Sequence, residues 1–468
     1  MKSFVRAGGL ALLLWWAAGG CARFEPHEIS ASRSATLRES LSLTNAQLQA
    51  FLEKNLQRDW TRWPALPWDL DMLTLAAFYY HPDLEVARAQ WRVAEAGIKT
   101  AGGRPNPTVS VVPEYDFTPA SGVSPWLPSI LFDLPLETAG KRDYRQARAR
   151  HLSEAARLNV ATAAWQVRGN LRNSLIDLAA AEKRREVLQR QLSLQEEIIT
   201  MLEQRRQAGA ISSVETTAAR VALAKTGVDL AESERLRAES RARLSGAVGV
   251  PIRALDEIAL APASAAGAEA GELAGSEARR RALESRFDIL GALAEYAASQ
   301  SALQLEIAKQ YPDVHLGTGY QWDQGDNKWQ LGLTAEIPVL NRNQGPIAEA
   351  EARRSEAAAR FEAIQAKVLA EVDRAVETFR ASEKNLTNLE ALAAALRTQR
   401  QTIEAEVTAG AADRLDLLNS QIELSTTELI RLDGQSKREQ ALAALEDVTQ
   451  RPLDFYPAAF RSARAHAD

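Results

Sequence analysis

The stretch 314–337, VHLGTGYQWDQGDNKWQLGLTAEI, alternates along both of its arms. Val314, Leu316, Thr318, Tyr320 and Trp322 fall on one side of a strand, with His315, Gly317, Gly319 and Gln321 on the other. After a polar turn from Asp323 to Lys328 the period resumes, with Trp329, Leu331, Leu333, Ala335 and Ile337 against Gln330, Gly332, Thr334 and Glu336. A period of two sends alternate side chains to opposite faces, so the stretch reads as a β-hairpin. Each arm has about the 9–11 residues that a tilted strand needs to cross a bilayer, and its aromatics sit where an interfacial girdle would lie. A soluble sheet could bury the same apolar face, so the remainder of the chain has to decide.

Composition points to long helices. Only 6% of the 468 residues are aromatic, and Ala, Leu, Glu, Gln and Arg fill long tracts, the profile of extended helices and coiled coils. The net charge of −5 gives no reason to expect a nucleic-acid partner. Basic runs such as Lys183, Arg184 and Arg185 read as a solvated helix face. The five histidines, His27, His81, His151, His315 and His466, are scattered. With no nucleophile motif or ligand cluster, an enzyme is not expected, nor are catalytic residues, a bound cofactor or a resident metal.

The single cysteine, Cys21, follows a basic start (Lys2, Arg6), an apolar run from Leu10 to Trp16 and the small residues Ala17, Ala18, Gly19 and Gly20. Residues 1–20 therefore read as a secretory signal. The small residues before Cys21 resemble a bacterial lipobox, which implies acylation of its thiol. Ala22 next to it resembles the class sorted to the outer membrane. No other stretch approaches 18 unbroken apolar residues, so any further crossing must use strands.

Residues 21–70 read as a polar tether with a short helix around Thr36 to Phe51, then an irregular packed connector of Trp60, Trp63, Pro64, Pro67 and Trp68. A helical pattern from Asp71 stops at Gly102, Gly103, Pro105 and Pro107. The plan of helix, β-hairpin and helical hairpin occurs twice. Asp83-Leu84 matches Asp288-Ile289, and Pro107 with Val109 matches Pro312 with Val314, each at an offset of 205 (288 − 83, 312 − 107). Ala208-Gly209-Ala210 matches Ala409-Gly410-Ala411 at an offset of 201 (409 − 208). The expected first repeat is 71–251, with a β-hairpin at 107–136 and a helical hairpin at 141–248. The second is 277–452, with its two hairpins at 312–339 and 346–448. A linker at 252–276 joins them, and 453–468 is a short tail. Pro113, Pro125 and Pro128 interrupt the first β-hairpin.

The helix from Lys141 to Gln207 would span roughly 100 Å at 1.5 Å per residue. Val167, Leu171, Leu175 and Leu178, and later Val368, Val372, Ala375 and Phe379, repeat at coiled-coil spacing. Val214, Ala218, Val221 and Val228 are expected to be the core stripe of one returning helix, and Leu415, Leu418, Ile422 and Leu429 that of the other. Four strands cannot close a barrel, and open strand edges are too costly in lipid, so the chain must oligomerise. Three chains give about twelve strands around a passage, which the Gly, Gln, Thr, His and Glu face would line. The fold class is thus mainly α with internal duplication: a trimeric 12-stranded transmembrane barrel, four strands per chain, continued by a periplasmic helical coiled-coil barrel.

This doubled plan resembles the outer membrane factor family, the TolC-like exit ducts of tripartite efflux pumps and type I secretion systems. The likeness rests on Asn106-Pro107, Tyr311-Pro312 and the two Ala-Gly-Ala turns. Residues 135–142 and 337–345 resemble the CzcC-like heavy-metal branch. Membership implies a homotrimer in outer membrane lipid, working with a periplasmic adaptor and an inner membrane transporter of the RND type. It also implies an aperture at the far tip. Asp416 matches the first member of the family's aspartate pair and Asn419 replaces the second, with Asp413 next to them and Glu215 in the corresponding place of the first half; Gly209, Ala210, Gly410 and Ala411 would meet the adaptor. Asp413, Asp416 and Asn419, spaced by three, are expected on one helical face. A duct for drugs or secreted protein stays open as an alternative, and so does an exported structural coiled coil. At the strand-to-helix junctions, Gly140 and Gly345 are expected to make the turns, with Lys141, Arg142 and Arg342 near lipid phosphates or lumen carboxylates.

Overall fold

The computed structural model describes residues 24–60, 62–64, 67–261 and 276–450. The expected signal peptide, Cys21, the tail 453–468 and most of the linker lie outside them. The chain divides into two units, Met1–Ser42 and Leu43–Asp468. In the first, α1 (Ala31–Glu39) buries nothing. The second unit holds every other element. It opens with α2 (Ala46–Leu56), capped by Asn45, whose side chain accepts from the Gln47 amide. The single helix expected around Thr36 to Phe51 is therefore two, because this cap starts a new one.

The helix expected from Asp71 to Gly102 also breaks, into α3 (Leu70–Tyr80) and α4 (Pro82–Ala101). Pro82 has no amide hydrogen to continue α3 but suits the first turn of α4. The second repeat breaks at the equivalent place: α7 (Ser276–Ser285) and α8 (Phe287–Ala308) meet at Arg286. His81 and Arg286, 205 apart (286 − 81), have the same extended backbone, φ −68 and ψ 125 or 131. The connector packs as expected, with Trp68 fully buried and the rings of Trp60, Trp63 and Trp68 in a row at 5.7 and 5.6 Å. The first part of the expected linker is not loose. Residues Ile252–Glu257 form a 3-10 helix with Ala254 and Leu255 buried, and Leu260 bridges to Trp68.

Strands β1 (Thr108–Tyr115), β2 (Trp126–Leu136), β3 (Val314–Asp323) and β4 (Asp326–Ala335) form one antiparallel sheet in that order. Val314 pairs with Ala335, Leu316 with Leu333 and Tyr320 with Trp329, so both arms of the decisive hairpin put their apolar residues on one face. The turn is much tighter than Asp323 to Lys328. Gln324 and Gly325, both at positive φ, make a two-residue connection whose twist matches the strands. The first hairpin forms despite its prolines. Pro113 lies on edge strand β1, and Pro128 lies beyond the β2–β3 ladder, which begins at Ser129, so neither deletes a donor that the four-stranded ladder needs.

Below the sheet run α5 (Lys141–Gln207), α6 (Ser213–Val248), α9 (Gln344–Thr408) and α10 (Arg414–Thr449). Helix α5 packs on α6 and α10, and α10 packs on α9, giving the lateral order α6-α5-α10-α9 with α8 against α5 and α9. The expected seams are core: Val167, Leu171, Leu175 and Leu178 in one repeat, and Val368, Val372, Ala375 and Phe379 in the other, are all buried. The α6 stripe is not. Val214, Val221 and Val228 are 73%, 64% and 69% exposed, while α6 turns Thr216, Thr226, Ser233, Ser240 and Leu244 inward. Helix α10 has neighbours on two sides and α6 on one, which leaves the valines without a partner in the chain.

Candidate functional site

The sheet carries two chemically different faces. On one, Val109, Val111 and Tyr115 continue across register partners Phe132, Ile130 and Trp126, then into Thr318, Tyr320 and their partners Leu331 and Trp329. Most of this face is exposed, with Trp329, Leu331 and Leu333 at 82%, 75% and 74%. Its aromatics cluster toward the turns: Tyr115 meets Phe117 and Trp126 at 5.2 and 5.0 Å, and Tyr320 meets Trp329 at 5.1 Å. The opposite face bears Ser110, Glu114, Asp133, His315, Gln321 and Gln330, with glycines at 317, 319 and 332. There His315 Nδ1 lies 2.9 Å from the Asp133 carboxylate. Apolar side chains outward and polar ones inward is what a barrel wall between lipid and water requires. Edge strands β1 and β4 each have one unpaired side within the chain.

At the junctions the basic residues hold the backbone together. Lys141 is buried and donates to Asp313 and to the Tyr311 carbonyl, both at 2.7 Å, while Thr138 donates to the Pro312 carbonyl at 2.6 Å. Those bonds tie the β2–α5 and α8–β3 connections together, so Lys141 does not face lipid. Arg142 donates to the Gly102 carbonyl at 2.9 Å; only Arg342 of the three is exposed. Gly140 takes the left-handed turn (φ 71) as expected. In the second repeat that conformation belongs to Asn343 (φ 62), with Gly345 already inside α9. An asparagine tolerates it, and its amide also binds Glu306 at 2.8 and 3.0 Å.

At the far tip the two turns are the same object built twice. Gly209 (φ 71) and Gly410 (φ 72) end α5 and α9. The amides of Ala210 and Ala411 reach back to the carbonyls of Arg205 and Glu406 at 2.9 and 2.8 Å, closing a Schellman motif in each repeat. Gly209, Ala210, Gly410 and Ala411 are all exposed.

Asp413 precedes α10 and caps it, forming a reciprocal capping box with Asp416, whose carboxylate accepts from the Asp413 amide at 3.2 Å. The three residues expected on one face therefore separate. Asp413 turns to an ion pair with Arg205 of α5, and Asp416 and Asn419 remain exposed together. The Arg205 guanidinium holds the Asp413 carboxyl below its usual range. Glu215 is exposed at the start of α6, 3.4 Å from the Ser212 hydroxyl. A second α5–α10 tie joins Glu197 to Arg414 at 2.9 Å. Exposed pairs of this kind contribute about 0–1 kcal/mol each. Nothing local in the sequence marks Arg205 or Glu197, since pairs 208 and 217 residues apart leave no periodic pattern.

At the opposite end of α10 lies a buried ionic cluster. Glu446, with no exposed surface, accepts from Arg168 at 2.8 Å and from Arg172. Burial pushes the Glu446 carboxyl up, but the two guanidiniums outweigh it and hold it below its ordinary value. Among the described residues no group of three or more His, Cys, Asp or Glu side chains is arranged to hold a metal ion, and no helix is long and apolar enough to cross a membrane.

Comparison with known proteins agrees with this architecture. A family model for outer membrane efflux proteins matches residues 77–250 and 278–449, one segment per repeat. The cobalt-zinc-cadmium resistance protein CzcC of Cupriavidus metallidurans is 25% identical over 274 residues, 57% of this chain and 62% of that protein, so the match spans less than two thirds of the relative. Among solved structures, CusC aligns with a TM-score of 0.67 at 16% identity, covering 92% of this chain and 100% of that one. VceC of Vibrio cholerae aligns at 0.67 and 19% identity, covering 87% and 98%. At these identities the structural likeness concerns the fold.

Proposed function

The chain belongs to the outer membrane efflux protein family, and from that premise we propose that three copies form a passive exit duct carrying divalent heavy-metal cations out across the outer membrane. The observation that carries this reading is that sheet and helices end alike. The four-strand sheet has free edges at β1 and β4, and the helical layer has open flanks at α6 and α9. One rotation joins β4 to the next copy's β1 and α9 to the next copy's α6. That seals the unpaired strand edges, which lipid does not tolerate, and covers Val214, Val221 and Val228. Twelve strands then surround a water-filled passage lined by the polar face.

The metal cargo is inferred from the likeness to CzcC, and metal is substrate here, not a resident group. In the tripartite assembly an RND-type inner membrane pump and a periplasmic adaptor deliver it. The exposed tips at Gly209-Ala210 and Gly410-Ala411 meet the adaptor, and small side chains there allow close helix docking. Asp416, with Asn419 one turn along the same helix and Glu215 at the equivalent helix start of the first repeat, forms a ring that attracts cations at the periplasmic aperture. Weak α5–α10 ties leave that aperture easy to open. Cys21 carries the lipid anchor. The test is twofold: purified protein should run as a trimer that conducts ions in planar bilayers, and a deletion strain should become sensitive to cobalt, zinc or cadmium. A stable, non-conducting monomer would overturn the duct. Unchanged metal tolerance with heightened drug sensitivity would reassign the cargo.

A further inference from the structure

Asp447 sits beside the buried Arg168–Glu446–Arg172 triad yet no ion pair within 4.0 Å engages it among the described residues. Its carboxylate lies directly over Gly169 of α5, where a Cβ would come within 2.7 Å of Oδ2, so the absence of a side chain at 169 makes its seat. Charged groups face it from every element around the root of α10. Helix α5 supplies Arg168 and Arg172, and α10 supplies Glu446. The α7–α8 elbow supplies Arg286, which pairs with Asp288 at 2.6 Å and with Glu371 of α9 at 2.9 Å, and also donates to the Val448 carbonyl at 3.4 Å. Three guanidiniums thus meet three carboxylates, and an ionised Asp447, half-buried at the edge of the cluster, would add a fourth negative charge to it. The same root is held by neutral bonds, Phe287 amide to Gln450 at 2.8 Å and Ser285 to the Thr449 carbonyl at 3.4 Å.

We propose that Asp447 is a proton-sensitive clamp at the root of α10: protonated, it seats in the Gly169 notch; ionised, it loosens the root and with it the tip that α10 carries. Burial, the largest influence, pushes its carboxyl up to about 7, although Arg168 and its neighbours pull the other way. The only chemistry is acid dissociation, the proton leaving to water. A raised value means that the seated state binds the proton more tightly than the released state, where the carboxyl returns toward 3.8. Seating is therefore favoured as pH falls, and between pH 5.5 and 7.5 the release equilibrium rises roughly twentyfold. Asp416 stands 31 residues away on the same helix (447 − 416), about 46 Å at 1.5 Å per residue, so a loosened root reaches the tip through one rigid element.

Hydrogen exchange of the full-length protein in detergent, read by mass spectrometry and corrected for intrinsic rates, tests this. Protection over residues 440–450 should fall up to about twentyfold from pH 5.5 to 7.5 and level off above about 7. In Asp447→Asn the same residues should show a flat profile. Parallel profiles in the two proteins would overturn the clamp. Should Asp447→Asn fail to fold, the wild-type curve decides alone, and a curve with no break between pH 6 and 8 overturns it. Bilayer recordings separate this from the duct reading on which the tip's role rests. A wild type that never conducts counts against the duct, whereas conductance that rises with pH in wild type and not in Asp447→Asn supports the clamp.

Discussion

Replacing Val214, Val221 and Val228 together by serine isolates the helical part of the assembly. These side chains are largely exposed within their own chain, and serine is about as good a helix former as valine, so the subunit fold should survive. Fully burying a valine stabilises by about 1.5–3 kcal/mol. With 73%, 64% and 69% of their surface still exposed, each has about 1–2 kcal/mol left to gain in a subunit contact. The stripe then contributes about 4 kcal/mol per seam, close to a thousandfold in the dissociation constant. Light scattering after size exclusion, over a dilution series in mild detergent, should show the triple variant dissociating at concentrations where wild type stays trimeric. Far-ultraviolet circular dichroism should show unchanged helix content. A variant as resistant to dilution and heat as wild type would refute the seam and leave the strand edges to hold the trimer.

Four further substitutions probe the root, the tip and the anchor. Glu446→Gln strands Arg168 and Arg172 in a buried site and should cost about 3–5 kcal/mol in denaturant unfolding. Because the Glu446 carboxyl is held below the unfolded reference of 4.5, its stabilisation is present above that pH and is lost as the pH falls through the folded value, so the variant should lose part of the wild type's acid sensitivity. Gly410→Ala forces a Cβ into φ +72 with open space around it, and should lower thermal stability by about 1 kcal/mol without blocking assembly. Asp416→Ala should lower cation preference in bilayer recordings, and identical selectivity would remove the ring. Cys21→Ser should abolish incorporation of labelled palmitate; unchanged labelling would remove the lipid anchor.

Backbone periodicity alone determined a great deal. A period of two over residues 314–337 and spacings of three, four and seven over 141–207 are local consequences of strand and helix geometry, and they yielded the hairpins, the long helices and the duplication. The Ala-Gly-Ala turns were legible for the same reason, since positive φ at Gly209 and Gly410 leaves a residue signature. Tertiary structure decided which faces found partners. The valines of α6 and the leucines of α10 have similar spacing, yet one stripe is open and the other covered, because α10 lies between α5 and α9 and α6 lies at a flank. Lys141 and Asp413 have the pattern of surface charges, yet Asp313 and Arg205, over 170 residues away in each case, neutralise them. A sequence records the period of a face in its own neighbourhood; what covers that face depends on chain brought from far away, for which local spacing carries no signal.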